Sequence, residues 1–413
     1  MNANMTASNT AATHSHSSST KAGKIDLGNA FRGKKVFLTG HTGFKGSWMA
    51  LWLQGLGANV TGYALAAPSK PSHFELLRER GILKIESVIG DICDYQSLRE
   101  AMFACDPDLI IHMAAQPIVL KSYRDPIETY ETNVMGTLKV FEAARALNEK
   151  RKKEPGPKSG GSTASGTAAA VRALSILNIT SDKCYENKET LVGYKESDPM
   201  GGYDPYSSSK GCAEILFSSY QRSYFPIARY GGEKSDGHKV LMASVRAGNV
   251  IGGGDWAADR LIPDLIRGTA QGKITEIRNP TAIRPWQHVL EPLSGYLLVA
   301  AKLLSGDVKA ATGFNFGPDE ESCVTVGEIL SSISKKWDGI KFQVDPNASK
   351  SQPHEAHFLK LDSTKARTEL SWKPVLNFDE TISWTADWYR TQQESKELLT
   401  LKQIAEFQKR MLD

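Results

Sequence analysis

The chain has 413 residues, of which 40% are hydrophobic and 8% aromatic, and this is enough apolar material for a sizeable globular core. A formal net charge of +4 with scattered basic residues gives no sign of a nucleic-acid-binding face. The five cysteines contain no CxxC pair, and no apolar segment approaches the ~20 residues of a membrane span, so we expect a cytoplasmic protein without disulfides, structural metal or membrane contact.

Residues 1–30 are rich in Ser, Thr, Asn and Ala, contain no Arg and include no apolar stretch of the kind found in a secretory signal. We interpret them as a disordered N-terminal tail rather than a transit peptide. His14 and His16 lie in this tail, and two histidines in such a segment are more often incidental than metal ligands. No metal site is therefore expected.

From residue 34, short runs rich in β-branched residues alternate with amphipathic helical windows, a pattern typical of an α/β protein with a doubly wound parallel sheet. Helices are predicted after the first strand and at 95–104, 126–149 and 206–224. Together these elements predict a Rossmann-type domain at 31–248. The six predicted strands are KKVFLTG, ANVTGYAL, ESVIGDI, DLIIHMAA, ALSILNITS and KVLMASVRAG.

Two other segments differ in character from this domain. Residues 151–172 are basic and then rich in Gly, Ser, Pro and Ala, which predicts a flexible surface insertion, with a nuclear-localisation signal at KRKK as the alternative. Residues 249–400 are richer in loops and predict a smaller, mixed α/β substrate domain. Its place opposite the carboxyl ends of the strands would form a ligand cleft.

The segment TGHTGFKG follows the first strand and opens a helix, with glycines at 40, 43 and 46. Glycine permits a tight turn and lets the backbone approach a pyrophosphate at the helix N-terminus, so this loop predicts a dinucleotide site rather than a structural turn. Asp91-Ile92 and Ala114-Ala115, at the ends of the third and fourth strands, should line its adenosine side. The second strand ends without the acidic residue that grips the ribose in NAD enzymes, so the preference for NAD over NADP follows only weakly from this loop.

Tyr206 and Lys210 in YSSSK are four residues apart and share one helix face. A phenol has a pKa near ~10, but an adjacent ammonium group and a positively charged nicotinamide ring would stabilise its phenolate. The pair is therefore predicted to abstract a hydroxyl proton during hydride transfer. Just after the fifth predicted strand, Ser181, Asp182 and Lys183 place a hydroxyl, a carboxylate and an amine together, as either a catalytic set or a loop ion pair.

The phrases TGHTGFKG, HMAAQP, TSDKCY, YSSSK and RAGNVIGGGDW together resemble the extended short-chain dehydrogenase/reductase family. Within it, the chain is similar to the sugar-nucleotide 4,6-dehydratases, especially their CDP-glucose branch, from about Phe31 to Trp388. The resemblance implies a homodimer, formed through the helices near 126–149 and 206–224, that binds NAD and a nucleotide sugar. It also implies loss of water from that sugar through transient oxidation at C4, elimination across C5–C6 and reduction at C6.

In most of these dehydratases the segment after the fifth strand reads Thr-Asp-Glu, and the resemblance makes Asp182 the acid for water loss. Lys183 stands where the base is expected, so it either removes the C5 proton as a neutral amine or stabilises the enolate as a cation. Epimerases of the same superfamily need only the Tyr/Lys pair. Another sugar-nucleotide dehydratase, a 4-epimerase or a catalytically silent dinucleotide sensor are the alternatives.

The resemblance also implies further ligand contacts. Arg side chains and amide groups suit a nucleotide diphosphate, which carries about two negative charges. The residues expected at the substrate are Gln116, Asn249, Arg260, Arg284 and His354. Those expected at the cofactor are Gly40, Thr42, Gly43, Phe44, Gly46, Asp91, Ile92, Ala114, Ala115, Gln116, Thr180, Tyr206 and Lys210.

Overall fold

A computed structural model describes residues 25–154, 171–232, 237–277, 279–344 and 358–412. Most of the predicted tail, the central part of the predicted insertion, at 155–170, and His354 lie outside these residues.

Seven parallel strands form the main sheet, in the order β10-β6-β5-β4-β1-β2-β3. This confirms the predicted Rossmann-type fold. The strands are β1 (Lys35–Thr39), β2 (Asn59–Ala64), β3 (Glu86–Ile89), β4 (Leu109–His112), β5 (Leu174–Ile179), β6 (Val240–Ala247), β7 (Asn249–Ile251), β8 (Thr275–Ile277), β9 (Ile283–His288), β10 (Gly313–Phe316), β11 (Cys323–Thr325) and β12 (Phe342–Val344). Because the strand order reverses between β1 and β4, the carboxyl ends of these strands mark the crevice where such sheets bind ligands.

The sequence predicted six of these strands and missed the seventh, β10. This strand is only four residues long, and it pairs with β6 between Gly313 and Ser244, almost 70 residues apart in sequence. Local periodicity cannot reveal so distant a pairing. Phe314 and Phe316 bury their rings against the sheet, so a strand from beyond the predicted boundary at 248 completes it.

The helices predicted at 95–104 and 206–224 are confirmed, whereas the one predicted at 126–149 is divided by a π-helical turn at Glu131–Gly136. The helices are α1 (Leu27–Phe31), α2 (Phe44–Gly55), α3 (His73–Glu79), α4 (Tyr95–Cys105), α5 (Val119–Arg124), α6 (Pro126–Tyr130), α7 (Thr137–Lys153), α8 (Pro205–Ser223), α9 (Leu261–Ala270), α10 (Leu290–Leu304), α11 (Val326–Lys336), α12 (Thr364–Leu370), α13 (Phe378–Ser395) and α14 (Thr400–Leu412). None of them, within the described ranges, is long and apolar enough to cross a membrane.

Two predicted boundaries are corrected by this structure. The tail was expected to be disordered to residue 30, but α1 begins at Leu27, because Leu27 and Phe31 are buried in the core and Asp26 caps the helix through the Asn29 N–H. The insertion was expected to begin at residue 151, but α7 continues to Lys153. Arg151 extends the helix because its guanidinium donates to Asp106 at 2.6 Å.

The largest hydrophobic cluster unites the main sheet with the C-terminal elements. Helix α2 is buried on every side from residue 46 to residue 53, and its Trp48 and Trp52 are completely buried. Trp48 donates to the carbonyl of Gly253, and Trp52 packs edge-on against Phe407 of α14. The helix that opens at the glycine loop is therefore fixed on its outer side by the C-terminal part of the chain.

Candidate active site

The glycine loop joins β1 to α2 with very little space around it. Gly40 has φ +77°, and a Cβ there would lie 2.7 Å from the backbone nitrogen of Ala114. A Cβ on Gly46 would collide with the carbonyl oxygen of Gly40. The backbone of Gly43 caps the twelve-residue α2, whose first N–H groups are therefore directed into the crevice. A pyrophosphate fits this arrangement, because it requires bare backbone and a helix N-terminus.

The strand ends beside this loop are held by polar contacts within the protein. The Tyr63 hydroxyl donates to the carbonyl of Asp91 at 3.1 Å, and the Asp91 side chain accepts from the N–H of Cys93 at 2.8 Å. The N–H of Ala114 donates to the Thr39 hydroxyl at 3.1 Å. The residues predicted for the adenosine side therefore lie on fixed backbone at the crevice.

Gln116 contributes differently from its predicted role at the ligands. Its side-chain nitrogen donates to the Ile118 carbonyl and the Thr129 hydroxyl, and its side-chain oxygen accepts from the Ile118 N–H. Asn133, in the π-helical turn, accepts from the Gln116 N–H and donates to its carbonyl. In this structure the Gln116 amide thus holds its own loop, and a ligand contact remains a prediction.

Tyr206 and Lys210 lie together in the first turns of α8, with the Lys210 ammonium 6.0 Å from the centre of the Tyr206 ring. The side chain of Asp204 caps this helix, and the N–H of Tyr206 donates to the Ser122 hydroxyl. Burial raises the pKa of Tyr206 to about 12 and lowers the pKa of Lys210 to about 8. Both shifts oppose the phenolate–ammonium state that proton abstraction needs, so other charges must favour it.

Ser181 connects this pair to Asp182. The Ser181 hydroxyl donates to Asp182 Oδ1 at 2.8 Å, and the neighbouring Ser181 side chain lowers the pKa of Tyr206. Asp182 is only 3% exposed. Burial raises the pKa of Asp182, although Lys183 and Ser181 oppose the shift. The side chains of Tyr206, Ser181 and Asp182 therefore form one row, in which burial biases the carboxyl group toward its protonated form.

Lys183 is half-buried in the short 3-10 turn Asp182–Cys184, and its N–H donates to the Ser181 hydroxyl. The C-terminal part of the chain forms the opposite wall of the crevice and approaches Asp182 at Gly248. A Cβ at this position would lie 3.2 Å from Asp182 Oδ2 and 2.8 Å from Pro285. Glycine at this position therefore allows the start of the C-terminal part to lie directly against the Asp182 side chain.

Three of the five residues predicted for the substrate, Asn249, Arg260 and Arg284, belong to the C-terminal part of the chain that approaches Asp182. Asn249 begins β7, and Arg284 lies on the neighbouring strand β9, where its charge acts on Asp182. Arg260 pairs with Asp255 at 3.0 Å, and its charge also lowers the pKa of Tyr206. The charges of Arg284 and Arg260 therefore act on the row of Tyr206, Ser181 and Asp182, whereas contact of Asn249 with a ligand remains a prediction.

Thr180 lies at the end of β5, but its hydroxyl donates to the buried Glu214 rather than lying free in the crevice. Cofactor contact through that hydroxyl remains a prediction, as do the contacts of Thr42 and Phe44. Thr42 is buried and donates to the carbonyl of Leu65, and Phe44 is the first residue of α2.

Residues 37–385 match the family model described as GDP-mannose 4,6 dehydratase. The chain belongs to that family. It is 46% identical over 372 residues to CDP-glucose 4,6-dehydratase of Salmonella typhimurium LT2, a match that covers 90% of this chain and 94% of the relative. It is 26% identical to a probable dTDP-glucose 4,6-dehydratase of Sinorhizobium fredii, over 86% of this chain and 92% of that protein.

Solved structures share the fold of the family at lower identity. A dTDP-glucose 4,6-dehydratase from Streptomyces venezuelae, solved as a double mutant with NAD and DAU bound, is 20% identical, with a TM-score of 0.63. The match covers 87% of this chain and 97% of that structure. The epimerase Mth375 of Methanothermobacter thermautotrophicus, also 20% identical, gives a TM-score of 0.69 over 91% and 96% of the two chains.

Sequence reasoning about this family member missed Lys45, inside the glycine loop. The Lys45 ammonium donates to the Tyr296 hydroxyl at 3.2 Å. Burial, helped by the charges of Arg260 and Lys210, lowers its pKa to about 7, while Asp182 acts in the opposite direction. Lys45 therefore lies near Asp182 and Lys210 on the α2 side of the crevice. A basic residue within a glycine-spaced loop was the sequence signal that could have identified it.

Proposed function

We propose that this chain is an NAD-dependent CDP-glucose 4,6-dehydratase, a hydro-lyase that converts CDP-D-glucose into CDP-4-dehydro-6-deoxy-D-glucose and water. The observation that carries the proposal is the buried Asp182, which accepts a hydrogen bond from Ser181 next to Tyr206. An epimerase needs a redox pair but no second acid. The 46% identity to a CDP-glucose 4,6-dehydratase over almost the whole chain supports the choice of nucleotide.

The crevice fits NAD, because the loop with Gly40, Gly43 and Gly46 carries no side chains at these positions. A pyrophosphate can therefore approach its backbone closely. Asp91, Ile92, Ala114 and Ala115 would hold its adenosine half. When bound, NAD supplies the hydride acceptor for C4 of the hexose and the hydride donor for C6, so that no net oxidation occurs.

Tyr206 is the base for the C4 hydroxyl, and the ammonium group of Lys210 stabilises the phenolate as the proton leaves the sugar. The Ser181 hydroxyl lies between the two ends of the row, because it bonds Asp182 and its side chain also lowers the pKa of Tyr206. The ketone at C4 then acidifies the proton on C5.

Asp182 donates its proton to the C6 hydroxyl as water departs. A protonated carboxyl group is required for this step, and burial of Asp182 favours that form. At the neighbouring carbon, Lys183 either removes the C5 proton as a neutral amine and returns it to C5 when hydride reaches C6, or stabilises the C4 enolate oxygen as a cation while a different base takes and returns that proton. The two roles differ in the protonation state that the reaction needs.

Asn249, Arg260 and Arg284 are proposed to bind the nucleotide diphosphate from the opposite wall, with His354 approaching the nucleotide. Arg260 supports this role because its guanidinium is already oriented by Asp255 at 3.0 Å. A guanidinium held in advance loses less side-chain freedom when the diphosphate binds.

The decisive experiment incubates the protein and NAD separately with CDP-glucose and with UDP-, dTDP- and GDP-hexoses, followed by mass spectrometry. Loss of one water from CDP-glucose alone, abolished by Tyr206→Phe, is the expected result. Loss of water from a different nucleotide sugar would correct the substrate. A new isomer of unchanged mass would make the chain an epimerase.

We further propose a homodimer in the cytoplasm. The helical segment Pro126–Gly136 and helix α8 expose apolar side chains side by side, and Tyr130 joins the two through the Ser208 hydroxyl at 3.0 Å. Ile127 is 76% exposed and Ile215 is 60% exposed. All five cysteines are unpaired, which suits a reducing compartment.

A further inference from the structure

A buried ion pair lies one helical turn below the proposed redox pair. Glu214 follows Lys210 by four residues on α8, so both side chains lie on the same face of the helix. Arg246 of β6 binds both carboxylate oxygens of Glu214, with its Nε 2.9 Å from Oε1 and its Nη2 2.7 Å from Oε2. Glu214 is 3% exposed and Arg246 is 4% exposed.

Other groups orient this pair rigidly. Ser244 of β6 donates to Glu214 Oε1 at 2.7 Å, and Thr180, at the end of β5, donates to the same oxygen. The second guanidinium branch of Arg246 donates to the Tyr185 hydroxyl at 2.6 Å. That hydroxyl donates in turn to Asn315 of β10 at 2.8 Å.

The network thus joins α8, three strands of the main sheet and the end of the catalytic 3-10 turn. Its hydrogen bonds satisfy the buried charges of Glu214 and Arg246, and Glu214 lies one helical turn from Lys210 on α8. We propose that Glu214, held by Arg246, is a positioning residue that keeps Lys210 in its ammonium form beneath Tyr206. The proposal deepens the proposed function and rests on it.

The surroundings of Lys210 explain why such a residue is needed. Burial favours the neutral amine, which cannot stabilise a phenolate, and Lys45 of α2 adds a second cation nearby. His112 of β4 is also close, but burial lowers its pKa to about 3, so it is uncharged at neutral pH. Burial likewise raises the pKa of Cys184, in the 3-10 turn, so its thiol stays neutral. Glu214 is therefore the carboxylate that acts on Lys210 in favour of the ammonium form, and Arg246 holds it in place.

The test is the pH profile of kcat/KM for loss of water from CDP-glucose. Glu214→Gln preserves the shape of the side chain but removes its charge, and it leaves Arg246 uncompensated near Lys210. We expect the alkaline limb of the profile to move about one pH unit lower, and kcat at pH 9, above the pKa of Lys210 in both proteins, to fall about tenfold, since one unit of pKa is a tenfold change in protonation. KM for CDP-glucose should change less than twofold.

Two further variants keep the test decisive if Glu214→Gln fails to fold. Glu214→Gln combined with Arg246→Gln removes both charges and should shift the limb in the same direction by less, because no stray cation remains. Glu214→Asp retains the charge and should retain the wild-type limb.

An unchanged limb in the doubly substituted variant, or a uniform loss of rate at every pH, would leave Glu214 with a purely structural role. The wild-type protein in the same assay separates the two proposals. If it removes no water from any nucleotide sugar, the proposed function fails. If it does so and the variants keep its pH profile, only the role of Glu214 fails.

Discussion

At the scale of single residues, Asp182 provides the sharpest test of the chemistry. Asp182→Asn keeps the size of the side chain but removes the proposed proton donor for the C6 hydroxyl. A general acid contributes typically ~10²–10⁴ in rate, so we expect kcat for water loss to fall by about 10² or more, with KM nearly unchanged. Quenched time courses analysed by mass spectrometry measure this. The exposed Asp338→Asn is the matched control and should behave as wild type.

The same substitution should stabilise the fold. Burial raises the pKa of Asp182 above its value in the unfolded chain, so ionisation favours unfolding as the pH rises above about 4. We expect Asp182→Asn to unfold at a higher temperature than wild type at pH 7, and this advantage should shrink as the pH falls toward 4. Thermal unfolding at several pH values tests the sign. If Asp182→Asn is less stable than wild type at pH 7, the site stabilises the ionised carboxylate and the assigned direction of the pKa shift is wrong.

The sequence could predict those site residues whose chemistry follows from spacing along the chain. Tyr206 and Lys210 share a helix face, and the three glycines open a helix, because both patterns are local. Lys45 and Glu214 were missed because their roles depend on what lies opposite them. Lys45 donates a hydrogen bond to Tyr296 of α10. Glu214 binds Arg246 of β6, which lies more than 30 residues further along the chain.

At the scale of elements, Glu291 in the first turn of α10 holds the segment before α13. Its carboxyl oxygens accept from the N–H groups of Val375 and Leu376, at 3.1 and 2.8 Å. Burial raises the pKa of Glu291 to about 8. The stability that this group contributes is therefore fully present below pH ~4.5 and is lost as the pH rises to 8.

Glu291→Gln removes this titration. We expect the difference in unfolding temperature between wild type and variant to change between pH 5 and pH 8, with wild type losing more over that interval. Differential scanning calorimetry at both pH values measures it, with the exposed Glu369→Gln as control. Parallel pH dependence of wild type and Glu291→Gln would contradict the assigned pKa.

Elements with a strong local period could be predicted, and elements that tertiary contacts create could not. Helices α4 and α8 have clear amphipathic patterns and were predicted almost to the residue. The π-helical turn at Glu131–Gly136 was not predicted, because it depends on Asn133 reaching Gln116 and Ser209 across the fold. Helix α1 was missed because its two apolar residues follow a long polar segment.

At the scale of the whole molecule, the C-terminal part is more closely joined to the main sheet than the predicted boundary at 248 suggests. The chain leaves the sheet at β6 and returns at β10. Asn315 of β10 donates to the carbonyl of Tyr194, in the loop that leads from the catalytic turn to α8. The proposed catalytic row is therefore supported on both sides by parts of the chain that are far apart in sequence.

The proposed dimer is the last property to test at this scale. Ile127 and Ile215 face outward on neighbouring helices, and burying such a pair against a second copy would remove apolar surface from water. Replacing both with Lys should convert a species of about 90 kDa into one near the chain mass of 45.2 kDa, because two cations per subunit would then lie in an apolar contact.

Light scattering coupled to size-exclusion chromatography measures the mass. Leu191→Lys changes an equally exposed apolar residue away from these helices and should leave the dimer intact. A wild-type mass of one chain would refute the dimer outright. A dimer that survives both lysines but dissociates with Leu191→Lys would instead place the interface at the loop before α8.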